Sequence, residues 1–116
     1  MAVHPKHYLP VLERTREIVE QGWCQFYFES KPNCRCLIGA FCEAAKQVNL
    51  QFPLFQITQF WKEANSVAEN YVTQWNDQHG RTKQEVLVSL DNAILKIKEI
   101  VEYEETRKET SAEAVS

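Results

Sequence analysis

The passage from Trp75 to Ile97, WNDQHGRTKQEVLVSLDNAILKI, constrains the fold more than any other stretch of the chain. Thr82 has a hydroxyl oxygen that can accept the amide hydrogen of the residue three positions on, and Glu85 can return its carboxylate to the Thr82 amide. This two-way capping box starts a helix at Lys83. At roughly 100° per residue, Val86, Leu87, Leu90, Ala93, Ile94, Ile97 and Val101 share one broad face. Such a face requires further helices to cover it. Asp91 falls inside the same face, between Leu87 and Ile94. A carboxylate among aliphatics must be paired, hydrogen-bonded or protonated, because leaving it unpartnered costs several kcal/mol. Arg81, the Trp75 indole, the Asn76 amide and His79 stand in or beside the turn leading into the helix, and are its expected partners.

Three more helices are expected before that one. His4–Leu9 reads as an extended lead, with Pro10 at a first helical turn where its missing amide costs nothing. A helix then runs over 10–21, with Val11, Leu12, Ile18 and Val19 inward and Gly22 as a left-handed terminator. WCQFYF, residues 23–28, alternates as a short strand or an extended aromatic arm would. Asn33 is placed to cap a second helix over 34–48, and Gly39, Ala40, Ala44 and Ala45 give it a smooth side for close approach by another helix. Pro53 opens a third helix, in which Ile57, Phe60, Trp61, Ala64, Val67, Ala68, Tyr71, Val72 and Trp75 recur at steps of three and four through five turns. The link Asn76–Gly80 is short, so the third and fourth helices should be antiparallel neighbours. The fourth helix should end near Thr106. RKETSAEAVS, residues 107–116, carries no large apolar residue except Val115 and is expected to be a flexible polar tail. The expected fold class is therefore all-α, a compact bundle of about four helices in a single domain, 1–106.

Composition narrows the function. The 116 residues carry a net charge of −3, with six acidic and two basic residues in 99–116, so the remainder stands at +1. No basic patch argues for nucleic acid. No apolar run approaches the roughly 18 residues of a membrane span, and MAVHPKHYLP lacks the apolar core of a secretory leader. A cytoplasmic chain is expected, with Cys24, Cys34, Cys36 and Cys42 as reduced thiols.

Four groups of residues bear on chemistry. Cys36 in the first turn of the second helix would feel the helix dipole that favours a thiolate, against its plainer reading as a small buried hydrophobe. Cys34-Arg35-Cys36 has one intervening residue and Cys42 lies inside a helix, poor spacing for structural zinc. His4 and His7 sit in a loose terminus. Glu17-x-x-Glu20 and Glu102-x-x-Glu105 have the spacing of magnesium-holding carboxylate pairs, but also of ordinary solvated helix faces. No metal or other cofactor is indicated. Asp91 is the sharpest case, read as a lock tying the turn to its helix, as part of a pocket with Asn76, Asp77 and Arg81, or as an exposed acid at a helix edge, with Lys98 seven residues on adding an ion pair or an interface with another chain.

Gly22-Trp23, Cys36-Leu37-Ile38-Gly39-Ala40, Trp75-Asn76-Asp77, Arg81-Thr82, Val86-Leu87 and Leu90-Asp91-x-Ala93 together resemble a family of small bacterial and phage proteins known only as a domain of unknown function. The resemblance covers about residues 10–97. It implies a compact helical fold and places weight on Cys36, Gly39, Trp75, Asn76, Asp77, Arg81, Thr82 and Asp91, with no activity, substrate or cofactor attached. The residues favour a non-enzymatic binding or adaptor protein, with a protein partner or with a second copy held through helix 83–106, where Ile97, Ile100 and Val101 outrun the shorter helices. The rival is a small-molecule site or enzyme around Asn76, Asp77, Arg81 and Asp91, with Cys36 beside them.

Overall fold

In the computed structural model, the capping box forms as its residues require. The Glu85 amide donates to Thr82 Oγ1 at 3.1 Å, and the Thr82 amide donates to Glu85 Oε1 at 3.0 Å. The structure describes residues 3–26, 29–31 and 34–115, the side chains of 29–31 and 109–115 excepted. The chain runs through a 3-10 turn (Pro5–Tyr8), α1 (Leu9–Gln21), β1 (Glu29–Lys31), β2 (Cys34–Arg35), α2 (Leu37–Gln47), α3 (Phe55–Ala64), α4 (Val72–Asn76) and α5 (Lys83–Val115). The fold is all-α, a helical bundle with one antiparallel two-stranded ribbon. Among the described residues no helix is long and apolar enough to cross a membrane.

The bonds of the Thr82–Glu85 box, helped by Arg81, hold the Glu85 carboxyl below the usual 4.5. A depressed acid supports the fold above its unfolded pKa, and that support is lost as pH falls through the folded value. Glutamine keeps an acceptor but not the charge. The melting-temperature gap between wild type and Glu85→Gln should therefore be widest above pH 4.5 and close below it. A gap independent of pH would count against the box as drawn.

The core lies where α1 packs against α2 and α5, with α3 closing the side of α5. Val11, Leu12 and Val19 from α1, Leu37, Ala40, Phe41 and Ala44 from α2, Ile57 and Trp61 from α3, and Val86, Leu90 and Ala93 from α5 are fully buried. The smooth side of the second helix is used as its small residues suggest, since Gly39, Ala40 and Ala44 are all buried. Trp61 is the largest buried side chain. It meets Phe41 and Trp75 edge-on, at centroid distances of 6.2 and 5.0 Å, and donates its indole hydrogen to Ser89 Oγ at 3.0 Å.

Several expected boundaries are corrected. Residues Pro5–Tyr8 form a 3-10 turn rather than an extended lead, closed by the Lys6 amide bonding back to His4 Nδ1 at 3.0 Å. Gly22 ends α1 in extended geometry, φ 179°, not left-handed, because the chain leaves at once to bridge Trp23 with Arg35. The second helix begins at Leu37, not Cys34, since Cys34–Arg35 is drawn into the ribbon with Glu29–Lys31. Asn33, the expected cap, lies outside the described residues, as do Tyr27 and Phe28 of the aromatic stretch. The cysteines are not all reduced: the ribbon brings Cys24 and Cys34 to 5.8 Å between Cα atoms, and they are joined by a disulfide.

The largest correction concerns the third helix. Its periodicity runs through to Trp75, but α3 stops at Ala64. Ser66 takes the left-handed conformation, φ 51°, the Val67 amide closes back on the Lys62 carbonyl at 3.0 Å, and Asn65 donates to the carbonyls of Trp61 and Ser89, both at 2.9 Å. These bonds satisfy the helix end without glycine. The chain then loops to α4, where Val72 and Trp75 return to the same core. The apolar rhythm survives the break because both pieces face one interior. Tyr71, counted in that rhythm, is 68% exposed. The fourth expected helix also ends later than Thr106, and the expected flexible tail is helical to Val115, since Arg, Lys, Glu and Ala are good helix formers.

Candidate functional site

The Trp75-Asn76-Asp77 turn ends α4 and faces the aromatic arm across the ribbon. Asn76 is completely buried, and its amide is the centre of a closed polar knot. Its Oδ1 accepts the Trp23 indole N–H at 2.6 Å and the Leu37 amide at 3.0 Å. Its Nδ2 donates to the Cys24 carbonyl at 3.2 Å and to Asp77 Oδ1 at 2.8 Å. Two donors converge on one end and two acceptors on the other, so the orientation of the amide is set by its neighbours. The Leu37 amide is the first of α2, and Cys36, the residue before it, makes no side-chain cap of its own. Asn76 therefore caps α2 from a distance of 39 positions.

Asp77 continues the knot by accepting the Phe26 amide at 2.8 Å, while Gln25 donates to the carbonyls of Asn76 and Gln78 at 3.1 and 2.7 Å. The arm is held by side chains on one partner and backbone on the other. Gly80, at φ 83°, turns the chain toward α5 in a conformation that disfavours side chains with a Cβ. Arg81 then lies over the Trp75 ring, 3.8 Å from its centroid. Its Nε donates to the Trp75 carbonyl at 3.0 Å, Nη1 to Glu85 at 3.1 Å and Nη2 to Gln78 at 2.9 Å. A guanidinium so engaged fixes the turn instead of presenting a clamp for an anion. An open cleft of about 330 Å³ lies beside it, lined by Trp75, Arg81, Thr82, Val88 and Ser89 among others.

The structure brings Trp75, Asn76, Asp77 and Arg81 together and leaves Asp91 out. Asp91 is exposed, not sealed among aliphatics, and it faces α1: Arg16 Nε donates to Oδ1 at 2.5 Å and Nη2 to Oδ2 at 3.3 Å. The expectation that the tryptophan turn exists to satisfy this carboxylate is overturned. The apolar face of α5 is narrower than its sequence suggests, and at Asp91 it has already curved round to solvent. Arg16 is held in its charged form chiefly by the hydrogen bond to Asp91. The pair does tie α1 to α5, but at the surface, where such pairs contribute about 0.2–1 kcal/mol. Asp91→Ala should therefore lower stability by less than about 1 kcal/mol in urea denaturation, and a larger loss would mean a buried role.

Cys36 is 3% exposed, and burial, with the Asp77 carboxylate adding to it, pushes its thiol up from 9.0. It is a protonated core side chain, not the activated thiol that its place at a helix start suggested. Glu17 and Glu20 are taken by Arg14 and Arg16 at 2.8 and 3.0 Å. The expected reason for self-association also changes, because Ile97 is buried and Val101 packs against the core, while Leu95 and Tyr103 are 55% and 64% exposed.

A second concavity was missed in the sequence. Ile38, Phe55, Lys62, Tyr71, Val72 and Thr73 line a groove of about 400 Å³ between the start of α2, the outer side of α3 and the start of α4. Phe55 is 70% exposed and Tyr71 68%. Phe55 lies off the inward stripe of Ile57 and Trp61, which is the one signal in the sequence that pointed here. Tyr71 could not be read because the break at Ser66 removes it from that stripe.

These features define a class: an all-α bundle whose W-N-D and R-T residues are consumed in building a capped turn. Within it the chain belongs to a particular family, the family of unknown function DUF6197, whose model matches residues 5–96. Comparison with curated proteins and with solved structures returned no match.

Proposed function

We propose that this chain is a non-enzymatic binding module that captures an apolar segment of a protein in the groove between α2, α3 and α4. The observation that carries the reading is that Phe55 and Tyr71, each more than two thirds exposed, stand on one groove with Ile38 and Val72. Large aromatics gathered on a concave surface bury apolar area when a segment docks, and they lose little side-chain entropy in doing so. Catalysis at the turn is disfavoured by the use of its polar groups. Asn76 spends both its acceptor and donor ends on the fold, Arg81 is bonded through three nitrogens, and the cleft beside Arg81 is lined by neither Asp91 nor Cys36.

Anilinonaphthalene sulfonate, an aromatic anion whose emission rises in apolar sites, tests the groove. Bound to the full chain it should lose most of that emission in Phe55→Ser/Tyr71→Ser, while the melting curve barely moves, since exposed substitutions stay within about 0.5 kcal/mol. Unchanged emission in the double variant overturns the reading.

A further inference from the structure

We infer that the segment the groove takes is the projecting end of α5 from a second copy of this chain. The inference rests on the groove reading above and names its occupant. Lys62 is the only charged residue among those lining the groove, and it pairs with no acid among the described residues. The groove thus joins an apolar patch of Ile38, Phe55, Tyr71 and Val72 to uncharged polar side chains and one cation that no acid of the described residues opposes.

The projecting part of α5 has the opposite character. α5 is 33 residues long, about 50 Å, and from Glu102 to Lys108 every residue is exposed. Residues 99–105, EIVEYEE, hold four glutamates and no cation, and Glu104 is already paired with His4 at 2.8 Å. Leu95, Glu99 and Tyr103 follow at intervals of four and so lie along one side of the helix, the two apolar anchors about 12 Å apart with a carboxylate between them. An apolar anchor beside acids is what Phe55, Tyr71 and Lys62 would accept, as in helix-in-groove docking.

The chain cannot make this contact with itself. α3 turns Ile57 and Trp61 inward and packs on α5, while Phe55 and Lys62 line the groove on its other side. Two copies can exchange ends reciprocally, and that exchange closes a two-fold dimer.

Sedimentation equilibrium of the full chain tests this, with circular dichroism confirming the fold of each variant. A concentration-dependent dimer is expected. Lys62→Glu turns an attraction into a repulsion and should weaken it by about tenfold or more, and Tyr103→Ala should weaken it similarly. Adding Glu99→Lys and Glu102→Lys to Lys62→Glu should restore most of the affinity. A chain that stays monomeric while its groove still binds the dye overturns the second copy as occupant and leaves the groove standing. A monomer that binds no dye overturns both. A dimer indifferent to Lys62→Glu and Tyr71→Ser lies elsewhere on the surface and also overturns the exchange.

Discussion

Asn76→Asp should unfold this protein at a markedly lower denaturant concentration, although the two side chains are nearly the same size. The carboxylate keeps acceptors for the Trp23 indole and the Leu37 amide but loses the two hydrogens donated to the Cys24 carbonyl and Asp77. In their place it sets one anion against another and against a carbonyl oxygen, in a site with no exposed surface. Each buried polar group left without a partner costs about 1–3 kcal/mol, so a loss of about 3–5 kcal/mol is expected for the pair. Asn76→Ala should lose a similar amount by orphaning the Trp23 and Leu37 donors. Equilibrium urea unfolding of both variants measures this. A loss below about 1 kcal/mol in Asn76→Asp would show that the knot contributes little.

The other large effect belongs to Trp61→Ala. This ring is wholly buried between Phe41 and Trp75 and is bonded to Ser89, whose hydroxyl is in turn bonded to the Val86 carbonyl at 2.6 Å. Truncation removes the transfer energy of the ring and leaves a cavity where α2, α3, α4 and α5 meet, for which about 3–5 kcal/mol is the usual loss. Trp61→Phe separates the two contributions. It keeps most of the volume and loses the indole hydrogen, so it should cost clearly less, and urea midpoints for the two variants should differ accordingly.

The inward stripes were legible because burial and helical period are both local properties. Val11, Leu12 and Val19, Ala40 and Ala44, Ile57 and Trp61, and Val86, Leu90 and Ala93 all sit in the core where their spacing puts them. The Thr82–Glu85 box was legible for the same reason, as a bond between residues three apart. The importance of the W-N-D and R-T residues was also readable, but not their work. Asn76 reaches Trp23 and Leu37, separated from it by 53 and 39 positions, and no local spacing encodes such a partnership. Asp91 was misread through one angle on a helical wheel. A stripe marks which residues lean inward, but where its edge meets water depends on how far α1 reaches round α5, and there it supplies Arg16.

What the sequence by itself determined is the set of amphipathic helices, the α5 start and the all-α class, because these follow from side-chain period and from caps within one turn. Tertiary structure alone decided the rest: the break at Ser66, the capping of α2 by Asn76, the Cys24–Cys34 bridge, and the meeting of Phe55, Lys62 and Tyr71 on one groove. Each of these depends on contacts between segments far apart in the chain. Their positions are set by the packing of the helices against one another, which period and propensity do not specify.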